Sequence, residues 1–244
     1  MALDPRTEKD LARFSGDVQV ALRDRLICLA VYGSAAGEDW VAGRSDVNTV
    51  VVVSDVTLRA LEALAAPVAR RGRTLAVPLV VDPEYLGQAT DTFPMELADI
   101  RDQHRVLAGQ DVLGGLAVAP EALRRECERE ARGKLLRLRA LFLETAGRPA
   151  ALEQVMVDSL KSFLVLLRHL LRLRDVRVAP RFADILTASE GLLGPLPAMR
   201  QLLAQREGAA RLDPMAVRVT FGTYLGEVER IVATLDRPLP GIDA

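Results

Sequence analysis

Residues Ile27 to Val53 read ICLAVYGSAAGEDWVAGRSDVNTVVVV. The stretch opens on an apolar run rich in β-branched residues, so Leu26 to Tyr32 reads as a short buried strand. Tyr32-Gly33-Ser34 ends it at a turn. The chain then returns to an apolar run through Ser45-Asp46-Val47-Asn48, and Asp46 to Val53 reads as a second strand. Side chains two apart on a strand share a face, so Asp46 and Asn48 are expected to point together. Gly33 lets a ligand approach the backbone closely. Ser34 offers a hydroxyl and an N–H at the expected start of a helix, where anions are favoured.

Working outward, Asp4-Pro5 is a helix start with a capping side chain and proline at the first helical position. Leu11, Phe14, Val18 and Leu22 follow at helical spacing. Beyond the second strand, Ser54-Asp55 is expected to cap a helix carrying Leu58, Leu61, Leu64 and Val68. Thr74 to Val81 reads as a third strand, and Pro78 marks it as an edge strand or a bulge. Asp82-Pro83-Glu84 starts a short helix. Phe93 to Ala108 reads as a helical turn followed by an edge strand. This order predicts an α+β (α/β) first domain over residues 1–115. Gly109 to Pro120 supplies the linker, and residues 116–244 read as an all-α helical bundle. Its stripes are Leu123, Cys127, Ala131, Leu135, Leu138 and Phe142, then a helix from Leu152 to Leu171 that is apolar over most of its circumference, and a last helix from Asp213-Pro214 through Val217, Phe221, Tyr224, Val228 and Ile231.

Composition narrows the function classes. The chain has 244 residues, half of them apolar, and a net charge of -1. Near-neutral charge leaves no electrostatic footprint for nucleic acid. Cys28 and Cys127 lie inside apolar patterns and read as buried thiols of a reducing compartment. The N-terminus carries no signal-peptide pattern. Charges at Asp158, Lys161, Arg168 and His169 interrupt the longest apolar helix, so no membrane span is expected. The reading is a cytoplasmic protein.

The quoted stretch resembles the signature of the nucleotidyltransferase superfamily, which includes DNA polymerase beta and the kanamycin nucleotidyltransferases. That signature is an apolar residue, Gly-Ser, a gap of about a dozen residues, then two acids alternating along a strand. Here it is Tyr32-Gly33-Ser34, then Gly43-Arg44-Ser45-Asp46-Val47-Asn48 before the valine run. Val106 to Asp111 also resembles the segment that closes the family's first domain. The resemblance implies a mixed sheet followed by a helical domain, and transfer of a nucleoside monophosphate from a nucleoside triphosphate to a small-molecule or protein hydroxyl. It implies Gly33, Ser34, Arg44 and Ser45 on the nucleotide, Asp46 as a Mg²⁺ ligand, and a homodimer by analogy with the kanamycin type.

The chain departs from the family twice. Asn48 stands where the second acid is expected, and an amide oxygen coordinates without charge. A third carboxylate is expected on the third strand, which reads Leu75-Ala76-Val77-Pro78-Leu79-Val80-Val81 with no acid. The nearest acids are Asp82 and Glu84, which reach inward only if that strand is shorter or displaced. Three functions compete. One is an enzyme using Asp46, Asn48 and Asp82 or Glu84, with Mg²⁺ and a nucleoside triphosphate. Another is a non-catalytic nucleotide- or partner-binding regulator or scaffold, which needs no metal. The last is a structural protein that keeps only the fold. The missing carboxylates rank an impaired or inactive site first. Trp40 either packs or stacks on a base, and His104 and His169 read as satisfied or surface histidines.

Overall fold

The computed structural model describes residues 3–37, 40, 46–179, 181–209 and 211–237. The chain divides after Ala119 into two compact units. The first is built on strands β1 (Leu26–Tyr32), β2 (Asn48–Val53), β3 (Leu79–Val81) and β4 (His104–Gly109), in the order β3-β2-β1-β4. β1 runs antiparallel to β2 and β4, while β2 and β3 are parallel, so the sheet is mixed. Helices α1 (Pro5–Leu22) and α2 (Leu58–Ala69) precede and follow the β1–β2 pair; α3 (Pro83–Gln88) and α4 (Pro94–Asp102) lie between β3 and β4.

Both faces of the sheet are buried, which is why its central strands are nearly continuous apolar runs. One face packs Leu29, Val31, Val47, Val51 and Val53 under Leu11, Phe14, Val18 and Leu22 of α1 and Ala60 and Leu64 of α2. The opposite face packs Cys28, Ala30, Val50, Val52 and Val81 against Leu86 of α3, Leu97 and Ile100 of α4, and Leu113. α1 starts where the sequence places it: the Asp4 carboxylate accepts from the backbone N–H groups of Arg6 and Thr7 at 2.9 and 3.1 Å.

Two elements differ from expectation. α2 begins three residues later than Ser54-Asp55, because the Thr57 hydroxyl accepts from Ala60 N–H and Ser54 instead donates to Asp55. The new phase buries Ala60, Leu64 and Pro67 and leaves Leu58 and Leu61 exposed. The third strand is also shorter than Thr74 to Val81. Val47 bridges Leu75, and regular pairing resumes only at Val50 with Leu79. Two residues, Asn48 and Thr49, therefore face three, Ala76, Val77 and Pro78. Pro78 has no N–H to offer a ladder, and an edge strand tolerates the extra residue as a bulge.

Thr49 sits in this interrupted stretch, 1% exposed, and its hydroxyl has no hydrogen-bond partner among the described residues. A buried hydroxyl without a partner costs about 1–3 kcal/mol. Thr49→Val keeps the shape and β-branching, so it should raise unfolding stability by roughly 1 kcal/mol in denaturant melts. A loss of stability would mean that the hydroxyl is satisfied in solution.

The second unit is helical: α5 (Pro120–Glu144), α6 (Pro149–Arg172), α7 (Phe182–Leu193), α8 (Pro197–Arg206) and α9 (Val217–Leu235). α6 packs against the other four, and Leu152, Met156, Leu160, Phe163, Leu164, Leu167, Leu170 and Leu171 are all buried. Phe163 meets Tyr224 of α9 edge-on at 5.9 Å, and the Tyr224 hydroxyl lies 3.0 Å from Ser159 Oγ. Asp213-Pro214 forms a turn, so α9 starts at Val217 rather than there; the Asp213 carboxylate is spent on Met215 N–H. The arginines of α5 include same-face ion pairs, such as Arg124 with Glu121 and Glu128, as expected of a wet helix face. No helix among the described residues is long and apolar enough to cross a membrane.

Candidate functional site

The site is built on one row across the sheet. Tyr32, the last residue of β1, pairs with Asn48 on one side and His104 on the other. Alternation along β2 assigns Val47, Val51 and Val53 to the α1–α2 face and Val50 and Val52 to the α3–α4 face. Asn48 is in phase with the second set, and so faces α4. Asp46 stands one alternation earlier, just before the bridged Val47, and is exposed.

Gly33 turns the chain out of β1 with φ +70, a conformation that costs a non-glycine residue about 1–2 kcal/mol. Its own N–H is held by Gln103 O at 3.1 Å. A Cβ placed on Gly33 would lie 3.9 Å from Asn48 Nδ2, an ordinary contact, so backbone conformation rather than space demands the glycine. The same distance shows that the Asn48 amide lies close to the Gly-Ser turn. Gly33–Ala35 is a single turn of 3₁₀ helix, with Ala36 and Gly37 N–H both directed to Gly33 O. Ser34 therefore does not open an α-helix there, and the dipole argument for anion binding does not apply to it. Gly43, Arg44 and Ser45 lie outside the described residues.

Asp82 is not brought to this row. It follows Val81, the partner of Val52, and so stands level with Val53, about 17 Å along the sheet from Asn48 at roughly 3.3 Å per residue. Its carboxylate caps α3, accepting from Tyr85 N–H at 2.7 Å. Glu84 is in the first turn of that helix and accepts from Gln88 Nε2 at 3.1 Å. The expectation that either supplies the missing acid is thus corrected by the register: the third strand is short, but its parallel pairing places these acids at the far end of β2. The residue opposite the Asn48–Thr49 step is Val77, which is 66% exposed.

A carboxylate that strand spacing did not point to is Glu96, exposed in the first turn of α4. Tyr32 donates its hydroxyl to Glu96 Oε1 at 3.2 Å. Burial pushes the Tyr32 phenol well above its ordinary value, and the adjacent Glu96 charge adds to this, so Tyr32 remains a donor. Pro94 at the first helical position and the acid two residues on are a legible helix start. The link from Glu96 to a residue 64 positions earlier is a tertiary fact with no local signal.

The other singled-out residues are satisfied structurally. Trp40 is 2% exposed and belongs to the α1–α2 core, so it packs rather than stacks on a base. His104 Nδ1 lies 2.8 Å from Ile100 O, and its Nε2 lies 3.1 Å from Asp111 Oδ1. Asp111 also accepts from Leu113 and Gly114 N–H, and those backbone bonds hold its carboxyl below the ordinary range. His169 is fully buried beside Arg172. Asp158 accepts from Gln154.

A two-metal centre needs several charged oxygens converging on one place. The candidate row supplies Asp46 as a carboxylate, Asn48 as a neutral amide and Val77 as an apolar residue, and the Glu96 carboxylate is engaged by the Tyr32 hydroxyl. Among the described residues, no group of three His, Cys, Asp or Glu is placed to hold a metal ion. Among the described residues, the donor set does not fit a pair of Mg²⁺ ions.

No protein-family model and no curated protein matches this sequence. Among solved structures, the chain is similar to a spectinomycin adenyltransferase from Enterococcus faecialis, determined with ATP and spectinomycin. The TM-score is 0.55 and the identity 15%, over 92% of this chain and 98% of that one. Likeness at this identity is one of fold, and the chain has a nucleotidyltransferase-like fold.

Proposed function

We propose that this chain is a nucleotidyltransferase-type protein whose nucleotide pocket outlasts its catalytic power. It takes a nucleoside triphosphate and a small molecule at the Gly33–Asn48 row and transfers the nucleotidyl group poorly or not at all. The reading is supported by the donor set among the described residues: Asn48 is a neutral amide, and the residue opposite the Asn48–Thr49 step is Val77. Loss of one preorganised electrostatic group typically lowers turnover about 10²–10³-fold. Two such losses leave little transition-state stabilisation, and Asp82 is too distant to compensate.

Binding makes smaller demands. Gly33 keeps the turn beside Asn48, and Ser34 offers a hydroxyl. The Asn48 amide can donate to a phosphate oxygen as well as accept. Asp46 can hold one cation that accompanies the nucleotide. A regulator or scaffold that binds nucleotide without consuming it would need no more than this. The likeness to an adenyltransferase solved with ATP and spectinomycin makes ATP and an aminocyclitol reasonable first probes.

The test is calorimetric. ATP with Mg²⁺ at about a hundredfold over its Kd should add about 2.7 kcal/mol to unfolding stability, and Asp46→Ala should remove most of that gain. Radiolabelled ATP offered with spectinomycin should give transfer orders of magnitude below that of a competent enzyme. Identical melts with and without every nucleoside triphosphate would sink the binding claim. Rapid nucleotidyl transfer would sink the claim of impairment.

A further inference from the structure

The helical unit carries an apolar groove that the nucleotide reading leaves unused. It lies between the end of α5 and the first half of α9 and encloses about 470 Å³, within the size range of small-molecule sites. Phe142 and Phe221 stack with ring centroids 5.3 Å apart, and Leu143 and Leu225 complete the apolar wall. Leu143 is 76% exposed and Phe142 is 38% exposed, so among the described residues this face is open.

Gly222 explains how the groove stays open. It lies in the interior of α9, where glycine is less favourable than any ordinary side chain. A Cβ at Gly222 would meet nothing within 4 Å. Close packing therefore does not demand the glycine, and its φ is not left-handed. What a side chain there would do is fill the groove.

The groove's polar edge is cationic. Arg218 and Arg139 both line it. Arg218 donates from Nε to Gly147 O at 2.8 Å, which fixes its guanidinium and leaves the Nη groups to a ligand. Arg139 pairs with Glu229 at 2.9 Å. Two guanidinium groups against one carboxylate leave net positive charge beside an apolar wall. A second copy of the same face is a poor occupant, because the two sets of arginines would be brought together.

We propose that this groove binds a small amphipathic carboxylate, its hydrocarbon body on Phe142, Phe221 and Leu225 and its anionic head on Arg218. The site is independent of the nucleotide reading and stands if that reading fails. Titration calorimetry of the full chain with decanoate, below its micelle concentration, should show saturable one-to-one binding. Gly222→Leu should weaken it at least tenfold while leaving the melting temperature unchanged or higher, since leucine is the better helix former. Arg218→Gln should weaken decanoate at least fivefold and leave decanol unaffected. The proposal is overturned if decanol or decyltrimethylammonium binds as tightly as decanoate, or if Gly222→Leu binds decanoate undiminished. It is equally overturned if the chain forms a dimer that Leu143→Ser dissolves, for then a second copy owns the face.

Discussion

Glu227→Ala is expected to lower the stability of the helical unit by about 2–4 kcal/mol, a consequence of leaving two buried donors unpaired. Glu227 lies on α9 and is fully buried. Its two carboxylate oxygens accept from Ala198 and Met199 N–H at 2.7 and 2.9 Å, so a tertiary carboxylate caps the start of α8. Leu196, at the cap position, has no side chain that could do this. Each bond to a charged acceptor contributes about 1.5–3 kcal/mol, and the unpaired N–H groups would face an apolar interior. Desolvation of the carboxylate opposes that gain. Burial raises the Glu227 carboxyl above its ordinary 4.5, against the two backbone bonds that lower it.

The sign of the pH effect follows. A carboxyl whose folded value is raised binds its proton more tightly in the native state. Its stabilising contribution is complete below the unfolded value and is lost as pH climbs through the folded one. Wild-type stability should therefore fall across the window above pH 4.5, with the Glu227→Ala curve flatter over the same range. Chemical-denaturant midpoints at a series of pH values give both results. If the variant matches the wild type at neutral pH, α8 finds its cap elsewhere.

Glu227 also shows where sequence reading stops. Helix periodicity marks α5, α6 and most of α9, because a stripe of apolar residues at three- and four-residue spacing is a local pattern. β1 was legible for the same reason: its apolar run is continuous and bounded by charge and by Gly33. The candidate row was legible in its strand half, since Asp46 and Asn48 lie two apart. Features set by long-range register were not. Nothing near Asp82 says that parallel pairing puts it beside Val53 rather than Asn48. Nothing near Glu96 says that the Tyr32 hydroxyl comes to meet it. Phase within a helix was lost at α2, where three hydroxyl or acid caps compete within four residues and the last of them, Thr57, prevails. Pro78 by itself signals an edge or a bulge, but the residue count of the bulge belongs to the partner strand.

Asn48→Asp combined with Val77→Asp is expected to create a Mg²⁺-dependent stability that the wild type lacks. Val77 is 66% exposed, so an aspartate there loses little burial, and it lies opposite the Asn48–Thr49 step. Asn48 lies beside Gly33, and a carboxylate there would share a strand face with Asp46, while its pairing neighbour Tyr32 is hydrogen-bonded to Glu96 of α4. Without metal, the added negative charges repel, so the double variant should melt below the wild type. With Mg²⁺ the same charges become ligands, and the order should reverse or close. Each restored group should return about 10²–10³-fold in transfer rate if the surrounding geometry still places nucleotide and acceptor. The single variants should each recover far less, because one added carboxylate leaves the metal pair incomplete. Melting curves of all four proteins with and without Mg²⁺ separate this from a general effect of the ion. If Mg²⁺ raises the double variant no more than the wild type, Val77 is not the third position and the impairment has another cause. A gain in Mg²⁺-dependent stability without transfer would place the loss in the positioning of substrate. Recovery of both would trace the missing chemistry to two side chains, Asn48 of β2 and Val77 in the bulged stretch beside it.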